Sequence, residues 1–309
     1  MVHQLLLIFT LFVSTSFACT TFLLSDGTKK FFGKNYDWTQ GHGFLTVNKR
    51  NVEKTALVPD PEQTPAVWKS KFGSVTFNQH GREFPLGGIN EEGLAVEIMW
   101  LVDSEYPGPD LTPAINELQW IQYQLDNYST TAQAVMYADK IRIADVAAPV
   151  HYMVCDRSSD CATFEYLGGK MVVHTGNQMP VKVLTNDTYE GSMQFLSNFE
   201  GFGGTKPIPA GVSSLNRFVR AASLVKGLAS TLTSAFDVLR STRVSLATQW
   251  KIVYDIQEAS IEFYQRPDFR RSRLVKTTGF DYSCKTPVQV YDLSDSRRGD
   301  VSGKFVNFS

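Results

Sequence analysis

Cys19 is the residue on which chemistry can be built. Ser16 and Ala18 stand three residues and one residue before it, and an apolar run covers residues 5–13. That is the layout of a removable secretory leader cut between Ala18 and Cys19. Such a cut leaves a free α-amine and a thiol on one residue. An α-amine titrates near ~8 and a thiol near ~8.5, so the amine can act as base for its own nucleophile. A nucleophile beside a base is the minimum for covalent acyl transfer. Taken alone, these residues leave three other fates open for Cys19. It could be the lipid-bearing cysteine of a bacterial lipoprotein, although Ser16 stands where that signal usually has Leu. It could be a disulfide partner, or a small buried apolar side chain.

The elements around Cys19 can be read in order. Residues 20–24 and 30–38 are β-branched or aromatic and flank an Asp26-Gly27 turn, so they predict a hairpin. Cys19 heads one of its strands and Asp37 ends the other, which sets the two side by side. Strand patterns follow at 44–58 and 73–77, and two more strands at 85–101 flank the turn Asn90-Glu91-Glu92-Gly93. Helical spacing runs over 116–125 and 130–140, with Thr130 as a cap. Strands are expected at 150–166, 170–173 and 181–186, and a short helix at 193–199. A Gly/Pro-rich loop covers 201–209. Helices are expected at 214–229 and 231–239, then strands at 251–264 and 288–293. Strands and helix pairs in this alternation predict an α+β fold in which helices cover two sheets.

Composition narrows the function classes. The 309 residues suit a leader, 1–18, followed by one domain, 19–309. With 43% hydrophobic and 20% charged residues the chain is globular. Net charge is −1 and no basic run reaches five residues, so no nucleic-acid or anionic-membrane footprint exists. Past the leader no apolar run approaches the ~20 residues of a membrane span. Export permits disulfides. Cys155 and Cys161 bracket a strand-like hairpin that a disulfide could staple, leaving Cys284 over. The five His are scattered and no C-x-x-C pair occurs, so no metal site is expected.

Six short stretches recur in a telling order: Cys19-Thr20-Thr21, Gly33-Lys34-Asn35-Tyr36-Asp37, Asn90-Glu91-Glu92-Gly93-Leu94, Leu184-Thr185-Asn186, Asn216-Arg217-Phe218-Val219-Arg220 and Thr248-Gln249-Trp250. Each is weak alone. In this order, from Cys19 to about residue 290, they resemble the choloylglycine hydrolase family. These linear-amide hydrolases include bile salt hydrolases, penicillin V acylases and some acyl-homoserine-lactone acylases. The resemblance implies a four-layer αββα N-terminal-nucleophile sandwich that needs no cofactor. It implies that Cys19 attacks the amide carbonyl and that Asp37 hydrogen-bonds the nucleophile and its amine. Asn186 and the backbone N–H of Trp100 then form the oxyanion hole, and Arg217 balances charge near the thiol. Trp38 after Asp37, together with Trp100, resembles the Gram-negative penicillin V acylase branch and suits a flat aromatic or acyl group.

One residue departs from the family pattern. Lys34 stands where an Arg is usual, keeping the charge and losing the planar fork; it is placed with Trp38 and Trp100 among the substrate contacts. Singly, Asp37 reads as a turn residue, Arg217 as a solvated helix residue, and the two Trp as core aromatics. Asn186 heads a glycosylation sequon, and a glycan there would remove its assignment. Glu91 and Glu97 suggest a glycosidase carboxylate pair, but no spacing supports it. The expectation is a periplasmic or secreted cysteine amidase acting on a small N-acyl amide of penicillin V or acyl-homoserine-lactone type. A homo-oligomer is common in the family. Bile salt hydrolysis is the nearest alternative. A non-catalytic exported lipoprotein or binding protein with the same fold is the alternative of another class.

Overall fold

The structure is a computed structural model that describes residues 18–144 and 148–308. The leader at 1–17 lies outside the described residues. Two sheets stack face to face. A seven-stranded sheet runs in the order Val183–Leu184, Thr20–Ser25, Lys30–Asp37, Thr248–Asp255, Ser260–Gln265, Asp268–Lys276 and Gly299–Asp300. A nine-stranded sheet runs Lys170–Thr175, Cys161–Leu167, Val150–Cys155, Ala95–Trp100, Pro85–Asn90, Ser74–Asn78, Phe44–Asn48, Gln289–Asp292 and Val306–Asn307. Helices α1 (Glu117–Asn127) and α2 (Thr131–Met136) pack on the nine-stranded sheet. Helices α4 (Ser214–Gly227) and α5 (Leu232–Ser241) pack on the other, and α3 (Tyr189–Leu196) packs against α4. The chain is thus the α+β sandwich of four layers that the sequence implies.

The first hairpin explains the arrangement. Asp26 and Gly27 close it, with Gly27 at φ +90°, where a side chain would be strained. All eight positions of Lys30–Asp37 are buried, because helices cover one face and the second sheet the other. Alternation along the strand divides its side chains. Asn35 turns to α5, donating to the Leu239 carbonyl at 2.8 Å. Phe32 and Tyr36 turn to the inter-sheet core, where Tyr36 lies 4.4 Å from the Trp250 ring, centroid to centroid. Phe77 of the opposite sheet meets Trp250 at 5.7 Å and closes that core.

Local differences from the expected elements have physical causes. Residues 251–264 form a hairpin rather than one strand, turning at Ala259 with φ 49°. The helix expected at 193–199 starts earlier, because the Thr188 hydroxyl caps it by accepting from Gly191 N–H at 3.2 Å. Residues 44–58 split into two strands around Asn51, φ 62°. Strand Asp268–Lys276 has no expectation in the sequence, since its Arg-rich first half is exposed or half-buried and carries no apolar alternation. Cys155 and Cys161 are directly opposite in their hairpin and are disulfide-bonded.

Candidate active site

Cys19 precedes the strand Thr20–Ser25 at one end of the sandwich, where the two sheets and α4 meet. Its side chain opens on a cavity of about 570 Å³. The walls are mostly apolar: Trp38 and Trp100, whose rings lie 6.1 Å apart at 40°, with Phe84, Leu86 and Ile98. His80, Asn116 and Glu117 supply the polar parts of the lining. Burial and the nearby His42 hold His80 below its ordinary pKa, so the imidazole tends to neutrality. Among the described residues no cluster of three or more His, Cys, Asp or Glu could hold a metal ion.

Burial pushes the Cys19 thiol above its ordinary value. The Lys34 ammonium is the largest of the opposing influences, ahead of a hydrogen bond from the Asp37 backbone N–H and the charge of Arg217. Asp37 is fully buried. Thr248 donates a hydrogen bond to its Oδ1 and itself accepts from Val244 N–H at 3.1 Å. The other oxygen, Oδ2, is buried with no hydrogen-bond partner among the described residues. Desolvation lifts the Asp37 carboxyl to about 7, against the pull of Thr248, Arg217 and Lys34. In the hairpin Thr20 lies opposite Asn35, so the same register sets Asp37 opposite position 18, beside the nitrogen of Cys19.

Arg217 joins the parts. It is 1% exposed, held on α4 after the cap at Ser213. Its Nη1 donates to the Cys19 carbonyl and, at 2.7 Å, to the Thr20 hydroxyl. Its Nη2 donates to Asn186 Oδ1 at 2.8 Å, and its Nε to the Val212 carbonyl at 3.1 Å. Asn186 Nδ2 donates to the Trp100 carbonyl at 2.8 Å, and an amide nitrogen has a second proton. Ser214 fixes the backbone there, its hydroxyl accepting from Asn186 N–H at 2.8 Å and donating to Thr185 Oγ1 at 3.0 Å.

Trp100 shares this edge. Its neighbour Leu101 donates to Pro149, which makes Trp100 and Val150 a pair without hydrogen bonds to each other. The N–H and C=O of one strand residue project to the same edge. The Trp100 carbonyl meets Asn186, so the Trp100 N–H lies on that side too. The structure therefore brings together Cys19, Asp37, Asn186, Arg217, Trp38 and Trp100.

Lys34 is a correction. The sequence places it among the substrate contacts, but it is 1% exposed and absent from the cavity wall. Its ammonium lies 3.3 Å from the Glu97 carboxylate and donates to the Ile98 carbonyl, because alternation along its strand turns it into the inter-sheet core. Glu97, raised by burial, also accepts from Tyr254 Oη at 2.6 Å. Gly87 faces it across the sheet, and a Cβ there would strike that carboxylate. Glu91, the carboxylate the sequence sets beside Glu97, instead pairs with Arg50 at 3.3 Å on a distant turn. Thr248 is marked in the sequence by its order in the chain alone. Nothing in the sequence pointed to Ser214.

A family model described as linear amide C–N hydrolases, choloylglycine hydrolase family, matches residues 19–254. A penicillin V acylase of Pectobacterium atrosepticum is 28% identical over 285 residues, covering 84% of this chain and 74% of that protein. The solved structure of penicillin V acylase from Agrobacterium tumefaciens superposes with a TM-score of 0.82 at 27% identity, covering 94% of this chain and 98% of that one. A variant of the conjugated bile acid hydrolase from Clostridium perfringens gives 0.74 at 16% identity, with 89% and 97% covered; at that identity it speaks to the fold alone.

Proposed function

The chain belongs to the choloylglycine hydrolase family and is a hydrolase of linear amide C–N bonds, and from that premise we propose an exported cysteine amidase working through an acyl-thioester on Cys19. The observation that carries the reading is the convergence of Cys19 and the half-satisfied Asp37, which line one apolar cavity, with the Arg217–Asn186 pair that holds the Cys19 and Trp100 carbonyls. A leader removed at Ala18 frees the Cys19 amine beside Asp37 Oδ2, which supplies that oxygen with a donor. The buried thiol is protonated at rest, so attack requires a base at the moment of reaction, and the α-amine serves.

The sulfur attacks the acyl carbon while its proton passes to the amine. Negative charge grows on the carbonyl oxygen, and the second Asn186 N–H with the Trp100 N–H stabilises it. The ammonium then protonates the leaving nitrogen, and water attacks the thioester, its proton following the same route. Lys34 and Arg217 favour the thiolate through charge alone, so the loss of the fork at position 34 leaves the chemistry intact.

The substrate follows from the walls. Two indoles and an aliphatic lining suit a flat aromatic or aliphatic acyl group of penicillin V or acyl-homoserine-lactone type, in the periplasm or outside the cell. The test is a panel of penicillin V, acyl-homoserine lactones and conjugated bile salts, assayed by amine release with a Cys19→Ala control, alongside intact mass. Release from the first two classes by a protein beginning at Cys19, abolished in the variant, is expected. Undiminished release by Cys19→Ala, or a retained leader on active protein, would overturn the reading.

A further inference from the structure

The buried pair His151 and Glu165 takes no part in the chemistry above, yet it touches the segment that carries Asn186. Both residues are fully buried. His151 lies on Val150–Cys155, next to the strand that ends at Trp100, and Glu165 on the strand beyond it. His151 Nε2 is 2.8 Å from the Thr185 carbonyl, and Nδ1 is 3.0 Å from Glu165 Oε1. A carbonyl only accepts, so Nε2 must carry a proton. The same Oε1 accepts from Tyr189 N–H, at 2.8 Å, at the start of α3. One carboxyl oxygen therefore holds both the ring and the helix that follows Asn186. A leucine in place of Glu165 would remove both contacts at once.

The position of the pair gives it a task. The segment Val183–Leu184 belongs to the seven-stranded sheet, whereas Trp100 and His151 belong to the other. Asn186 is thus docked across the gap at two points, by its own amide on Trp100 and by Thr185 on His151. We propose that His151 is a positioning residue for the amide hydrolysis, holding Thr185 so that Asn186 aims at the reacting oxygen, with Glu165 fixing the ring. The inference rests on the reading of Asn186 as an oxyanion donor.

The test uses penicillin V turnover, iodoacetamide alkylation of Cys19 and thermal melting on His151→Phe, His151→Gln, Glu165→Leu and Asn186→Ala. His151→Phe fills the space and loses both contacts; a misplaced donor there should lower kcat about 10- to 100-fold with KM and alkylation rate unchanged. His151→Gln, which keeps a donor for Thr185, should recover most of kcat. Wild-type kcat in His151→Phe, or no recovery in His151→Gln, overturns the proposal, as does an alkylation rate that falls along with kcat. Should His151→Phe not fold, Glu165→Leu, which removes the shared acceptor, carries the test by the same kcat and alkylation criteria. Asn186→Ala separates the two readings: full activity there refutes the oxyanion assignment, while a defect there beside a normal His151→Phe refutes only the role of His151.

Discussion

Arg217 and Asn186 are joined by a 2.8 Å hydrogen bond that settles which way the asparagine amide faces. With Oδ1 held by the guanidinium and Nδ2 on the Trp100 carbonyl, a flipped amide would set like against like at both ends. The donor is thereby fixed before any substrate arrives, which is what electrostatic stabilisation of a transition state requires.

Asn186→Ala should lower kcat by about 10²- to 10³-fold, the cost of one oxyanion donor. Cys19 should still react with iodoacetamide at the parent rate. Arg217→Lys keeps the charge but not the fork, so it should also lose kcat and melt earlier. Stopped-flow amine release and calorimetry give both readouts.

Asp37 gives a pH dependence of stability. Its carboxyl is lifted to about 7 in the folded chain, above the ordinary 3.8, so the folded form keeps a proton that the unfolded form releases between those values. Stability from this group is full below that window and is lost as pH rises through 7, by up to about 1.4 kcal/mol per unit. In a chain that retains Ala18, urea unfolding should show the parent losing ground to Asp37→Asn between pH 4.5 and 7.5. A gap that stays constant with pH would refute it.

Lys34 and Glu97 form a buried pair, and removing one partner strands the other's charge. Lys34→Met alone should cost about 3–5 kcal/mol, and adding Glu97→Gln should recover part of it. A denaturant double-mutant cycle measures the coupling; additive losses would show that the pair is not a unit.

Trp38 and Trp100 should set acyl preference. Trp100→Ala removes one aromatic wall and should reduce kcat/KM for phenoxyacetyl amides about 10- to 200-fold, while short aliphatic acyl groups lose less. Equal losses across the panel would assign the ring to folding instead.

The disulfide should be dispensable for chemistry. Cys155–Cys161 closes a small loop away from the cavity, and its reduction should cost about 2 kcal/mol. Under denaturing conditions an aromatic disulfide reagent should titrate two thiols, Cys19 and Cys284, and four after reduction.

The legible parts of this protein are those in which a local pattern carries the constraint. The Asp26-Gly27 hairpin, the Thr130 cap and the Cys155/Cys161 staple all follow from residues a few positions apart. Cys19, Asp37, Asn186 and Arg217 were legible as members of an ordered set of short stretches, and the fold brings those four together. The orientation of Lys34 was not, because strand alternation gives a face only once both faces are known to be covered. Glu97, Ser214 and His151 act across 63, 28 and 34 residues from the groups they hold, and no local period encodes such pairings.

Ala18 is wholly enclosed, directly before the hairpin whose register reaches Asp37. A peptidase needs an extended, accessible backbone on both sides of the bond it cleaves. On the proposed export route, severing the link ahead of Cys19 is therefore a matter of timing: the cut is expected while the nascent chain is still slack. A molecule that folded first would, on that route, have hidden its own activation point.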